Sequence, residues 1–189
     1  MTITTYSTDL AALVADIDAA IRTYPRNDLE SVDAVCAALR PALSAPDLLL
    51  PEHRVGDPAT YRSHLLHVAP DGAFSVVALV WLPGQATAIH DHLAWCVVGV
   101  YEGAEHETRY RLTPDRRLVE SGSAVAFRGD VAGLLPPGDI HRVHNVGDST
   151  AISLHVYGAD LSVGGSSIRR TYPAAMVSKR ALGDGSGGH

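Results

Sequence analysis

The chain has 189 residues, 46% of them hydrophobic and 19% charged, which is the composition of a globular domain and too apolar for a disordered segment. Its formal net charge of -6 argues against a nucleic-acid surface, which needs Lys and Arg clustered against phosphates. It leaves anionic small ligands open, because one buried Arg overrides the global charge. No apolar run approaches the ~20 residues that cross a bilayer, and the opening MTITTYSTDL has neither a basic leader nor a long apolar stretch. Two cysteines, Cys36 and Cys96, make no disulfide framework and no zinc-ribbon pattern. The expectation is a cytoplasmic protein without membrane or nucleic-acid partners, a monomer or small homo-oligomer.

Leu10, Leu13, Val14, Ile17 and Ile21 recur at helical spacing, with Ser7, Thr8 or Asp9 available as a cap and Pro25 beyond the end. A second helix is predicted over 29–39, with Val32, Val35 and Leu39 on one face, Cys36 as a small core residue and Pro41 marking the end. After Pro51 the texture changes. HLLHVA, FSVVALVWL, WCVVGVY, HETRYRL, AVAF and AISLHVYG read as short strands, separated by APDG, LPGQ, TPDR, RGD and PPGD turns. Many short strands at regular spacing predict a mainly β sandwich or closed barrel. The predicted organisation is a helical segment over 1–50 packed on a barrel over 51–178, then a flexible tail over 179–189.

Of ten histidines, His53, His64, His67, His106 and His189 show no ligand-like grouping and read as surface or loop residues. The other five fall in two short segments and one strand. In PGQATAIHDHLAWCVVGVYEG, His90 and His92 are two apart, so on a strand both imidazoles point to one face and can grip one ion. In PPGDIHRVHN, Pro136, Gly138, His141 and Asn145 form a turn and then a strand that opens on a histidine. His144 lies three residues further on, which places it on the opposite face. Three neutral imidazoles leave coordination positions open, which suits non-haem iron(II) and oxygen chemistry better than a closed structural zinc site. Further along, Ser153, His155 and Tyr157 share one face of a strand. They read either as a hydrogen-bond relay that aims a phenol or as satisfied barrel polar groups.

The two segments together resemble the paired cupin motifs: Gly84, His90-x-His92 and Gly103, then Pro136-x-Gly138, His141 and Asn145. Cys96 stands where most cupins place a glutamate ligand. The resemblance covers roughly residues 61–172. It implies a double-stranded β-helix (jelly-roll) barrel holding a metal on His90, His92 and His141. IHDHLAWCVVGVYEGAE, GDIHRVHN and SLHVYG also resemble the thiol dioxygenase family, which includes cysteine dioxygenase and the bacterial mercaptopropionate dioxygenases. That likeness implies Fe(II), a small thiol and O2 as partners, a sulfinic acid product, and a catalytic relay of Ser153, His155 and Tyr157.

Two departures from the family pattern bear on the substrate. In YRSHLLH, counting from Tyr61 puts Ser63 where cysteine dioxygenases carry a carboxylate-binding Arg, with Arg62 one place off and so on the other strand face. Arg169 or Arg170 in SSIRRTY is the expected replacement, since the mercaptopropionate branch uses an Arg in this region; the alternative is a surface charge. Cys96 falls where some family members link a Cys to the active-site Tyr, so a Cys96–Tyr157 thioether is expected, or else a small inward apolar residue. Two rival functions remain: a non-catalytic metal cupin that binds a small ligand, and a cupin dioxygenase acting on a non-sulfur substrate, which would not need the Ser-His-Tyr row.

Overall fold

The computed structural model describes residues 7–178; the predicted tail lies outside the described residues. Helix α1 (Thr8–Thr23) is capped by Ser7, whose hydroxyl accepts from the Leu10 amide at 3.1 Å. Helix α2 (Leu29–Ala42) opens on a reciprocal cap between Asp28 and Ser31. It runs past the predicted end at 39 and takes Pro41 into its last turn. There the proline removes only the one bond that its own nitrogen would have donated.

Ten strands follow: β1 (Arg62–Val68), β2 (Ser75–Trp81), β3 (Ile89–His92), β4 (Cys96–Glu102), β5 (Ala104–Leu112), β6 (Leu118–Phe127), β7 (Val131–Leu134), β8 (His141–His144), β9 (Ala151–Tyr157) and β10 (Ile168–Tyr172). They form two five-stranded antiparallel sheets, ordered β1-β2-β9-β4-β7 and β10-β3-β8-β5-β6. This is the mainly β double-stranded β-helix predicted, with the helical segment laid on the first sheet. A short helix α3 (Leu161–Gly164) leads into β10.

The two faces of β2 explain the layering. Val76, Ala78 and Val80 pack with Leu13, Ile17, Val35 and Leu39 of the helices, while Val77, Leu79 and Trp81 point into the barrel with Val143 and Leu161. Burial on both faces is why β2 reads as a continuous apolar run rather than an alternation. Tyr101 and Trp95 tie the layers together: the phenol donates to the carbonyls of Ala45 and Pro46, and the indole to Asn27 Oδ1 at 2.9 Å. Among the described residues no helix is long and apolar enough to cross a membrane.

Candidate metal centre

The period of two places His90 and His92 on the inner face of β3, and the antiparallel ladder sets His141, the first residue of β8, directly opposite His90. All three are buried, and their ligand atoms lie within 4.8 Å of one another. His90 Nε2 and His141 Nε2 approach to 3.3 Å.

The other nitrogen of each ring is already engaged. His90 Nδ1 meets the Ala88 carbonyl at 3.0 Å, His92 Nδ1 meets Asp139 Oδ2 at 2.8 Å, and His141 Nδ1 meets Glu107 Oε1 at 2.8 Å. A carbonyl or carboxylate can only accept, so each Nδ1 carries the proton and each Nε2 turns a lone pair inward. Burial and the neighbouring imidazoles hold His90 and His92 below the usual histidine range, His90 at about 4, so these two rings are neutral donors. Three converging lone pairs with no proton between them fit a cation, and the outer carboxylates are the partners that orient metal-binding imidazoles. His144 points away: it sits opposite His106 in the β5–β8 ladder, with ring centroids 5.2 Å apart.

Beside the three histidines opens a cavity of about 210 Å³, lined also by Tyr61, Ser63, Cys96, His155 and Tyr157. Along β9, Ser153 Oγ lies 2.9 Å from His155 Nε2, and His155 Nδ1 lies 3.2 Å from the Tyr157 hydroxyl. The Tyr157 ring stands 6.0 Å from that of His92. Trp81 adds a donor that composition alone did not flag, its indole N–H reaching Ser153 Oγ at 3.2 Å. Burial raises the Tyr157 phenol well above its ordinary value, and burial with the nearby imidazoles lowers His155 to about 3. The relay is therefore uncharged throughout at neutral pH. Cys96 is the cross-strand neighbour of Tyr157, its Sγ lies 3.8 Å from His155 Nδ1, and burial pushes its thiol upward. Trp95 turns the other way, into the helical layer.

Arg169 and Arg170 are not where a carboxylate anchor would stand. Both guanidiniums bond Asp91 Oδ2, Arg170 at 3.2 Å, and the Tyr172 hydroxyl joins them at 2.8 Å. Asp91 lies between His90 and His92 and so faces the outside of the sheet. A register shift between Ile168 and Arg170 brings two consecutive arginines to that one carboxylate, and neither lines the cavity. Burial opposes the Asp91 charge, but the hydrogen bonds from Arg169 and Tyr172 outweigh it and hold the carboxyl below the usual range. The residues that the sequence left unmarked are Asp91, Glu105, Glu107, Asp139 and Trp81. Glu105 and Glu107 carried one signal, a spacing of two that puts both on the inner face of β5.

The chain is similar to proteins of known kind. The family model described as "Cysteine dioxygenase type I" matches residues 4–164. "Cysteine dioxygenase type 1" of Danio rerio is 32% identical over 93 residues, and that of Homo sapiens is 29% identical over 92, each match covering 46% of this chain and 46% of the relative. The match thus spans about half the length of these relatives. Solved structures similar in fold include a protein with a double-stranded β-helix domain from Klebsiella pneumoniae, at 18% identity and a TM-score of 0.49 over 62% of this chain and 87% of that one. A cupin 2 conserved barrel domain protein from Salinispora arenicola matches at 20% identity and a TM-score of 0.43 over 68% and 88%. With its family match running through the helices, the three histidines and the relay, the chain belongs to the cysteine dioxygenase type I family.

Proposed function

We propose that this protein is a mononuclear iron(II) thiol dioxygenase that converts a small thiol to its sulfinic acid. The observation that carries the reading is the convergence of three proton-free imidazole nitrogens on a small cavity into which the Ser153–His155–Tyr157 relay also opens. The reaction balances as RSH + O2 giving RSO2H. Iron(II) held by His90, His92 and His141 would supply open coordination positions for sulfur and dioxygen, while the electrons that reduce dioxygen come from the sulfur that is oxidised.

The chain's own residues do the rest. Asp139, Glu107 and the Ala88 carbonyl fix the imidazoles. Val77, Leu79, Trp81 and Leu161 exclude water from the cavity. Tyr157 donates a hydrogen bond to the reacting atoms, aimed by His155 and Ser153. Ser63 on the cavity wall favours a thiol without an amino acid head group, such as mercaptopropionate, over L-cysteine. The facing of Cys96 and Tyr157 supports the expected thioether, in which dioxygen takes up the two hydrogens lost when Sγ bonds to the ring.

Oxygen uptake and sulfinate formation by the iron-loaded protein across cysteine, mercaptopropionate, cysteamine and mercaptosuccinate tests the reading; uptake with none of them would end it. His90→Ala, His92→Ala and His141→Ala should each lose iron and activity, while His144→Ala keeps both. Metal analysis showing iron retained without His141 and lost without His144 would reverse the ligand assignment.

A further inference from the structure

The three histidines would hold the sulfur of a thiol, and the rest of the wall decides what its other end can be. None of the described residues that line the cavity is an Arg, Lys, Asp or Glu. The guanidiniums closest in sequence to the lining residues face elsewhere. In the β1–β2 ladder Ser63 stands opposite Leu79, which lines the cavity, and Arg62 stands opposite Val80, which packs with the helical layer. Residues paired across a ladder share a face of the sheet, so Ser63 is on the cavity side and Arg62 behind it. Arg169 and Arg170 both bond Asp91, on the outside of the second sheet.

Hydroxyls stand where a cation would. Ser63, Ser166 and Ser167 all line the cavity. Ser166 Oγ already accepts from the Ile168 amide at 3.1 Å. Ser167 differs: it is 3% exposed, and its Oγ meets no hydrogen-bonding partner in the protein. Its backbone is fixed beside the candidate metal ligands, the carbonyl accepting at 2.8 Å from the amide of Leu93, the residue after His92. A buried hydroxyl is costly to leave unsatisfied, so one on a cavity wall is available to a ligand.

We propose that the preferred substrate is a thiol with an uncharged head group, a hydroxyl or a carboxamide, and that Ser167, with Ser63, selects it. The inference rests on the thiol dioxygenase reading and takes its substrate one step further: among thiols without an amino acid head group, the neutral one is favoured over the acid. A carboxylate or an ammonium group moved from water onto this wall gives up its hydration and meets no opposite charge. A hydroxyl or carboxamide loses less and recovers it, because it donates and accepts as a serine does and can match either hydroxyl in either sense. A bound metal ion would not supply the missing charge, since the three histidines place it at the sulfur end of the substrate. Ser167 is a specificity residue: it takes the head group and leaves the sulfur to the metal centre.

Zinc has no redox chemistry, so calorimetric titration of the zinc-loaded protein separates recognition from oxidation. Two matched pairs serve as probes: 3-mercaptopropanamide with mercaptopropionate, and 2-mercaptoethanol with cysteamine. With each Kd referred to the thiolate form, the neutral member of each pair should bind about tenfold more tightly or better, and kcat/KM of the iron-loaded enzyme should follow the same order. Ser167→Ala should weaken the two neutral thiols by about two- to tenfold, the scale of one neutral hydrogen bond, and leave the two charged ones unchanged. Ser63→Arg, which puts a cation on the wall, should tighten mercaptopropionate by about one to two decades and reverse the first pair. Mercaptopropionate binding as tightly as its amide in the unaltered protein overturns the proposal. So does Ser167→Ala that weakens all four thiols equally or none, or Ser63→Arg that leaves the order as it was. If the neutral thiols bind in the expected order but the iron-loaded protein oxidises none of the four, the dioxygenase reading fails and the head-group preference stands.

Discussion

On the proposed reading, Tyr157 would serve the reaction only while its hydroxyl is both held in place and free to donate. His155 fixes its position at 3.2 Å, and Cys96 faces it from the next strand. Tyr157→Phe should leave fold and iron content intact and slow sulfinate formation by ~10²-fold, the usual scale for a positioned proton donor. His155→Ala should move the rate in the same direction by loss of aim. Wild-type rates in both would make the row a set of packed polar groups. If turnover links Cys96 to Tyr157, peptide mass mapping of the active enzyme should recover the two peptides as one. The row was legible because Ser153, His155 and Tyr157 repeat at the strand period. Trp81 was not, because its indole reaches Ser153 from 72 positions away in the sequence.

At the scale of single elements, β3 shows what a strand of four residues can hold. Its inner face carries His90 and His92, which could hold a metal ion with His141, and its outer face carries Asp91, so the segment is fixed from behind by β10. The inner face was readable from His-x-His alone. The carboxylates that orient the ligands were not: Asp139 reaches His92 across 47 positions of sequence and Glu107 reaches His141 across 34. Strands β7 and β10 escaped for a related reason. VAGL and IRRTY lack apolar alternation, and pairing with β4 and β3 is what makes them strands.

The irregular register of β10 turns both expected carboxylate anchors onto Asp91 and away from the cavity. Arg169→Ala and Arg170→Ala should leave the KM for mercaptopropionate unchanged, where loss of a true charge-assisted contact would raise it by about one to two decades. The double variant, which leaves Asp91 buried without a cation, should instead lower the melting temperature and weaken iron retention. A KM rise of that size in either single variant would put a guanidinium back at the substrate.

For the molecule as a whole, the question is how a helical segment comes to rest on a barrel that carries its site on the opposite side of the sheet. The helical period announced which faces of α1 and α2 are apolar, but not where they sit. The seat is set by absent side chains: a Cβ on Gly133 of β7 would lie 2.2 Å from Val32 Cγ1, and one on Gly99 of β4 would lie 2.9 Å from Leu39 and Leu43. Backbone therefore meets helix directly, and β4, which receives α2 on its outer face, pairs on its edge with the relay strand β9. Gly133→Ala should force α2 outward and cost about 1–3 kcal/mol of stability, as overpacking does elsewhere. Val32→Ala alone should also destabilise, by loss of a buried side chain. Combined, the two should be more stable than the sum of the separate losses, because each change makes room for the other. Urea denaturation of the four proteins measures the coupling, and strictly additive losses would show that α2 does not rest on Gly133.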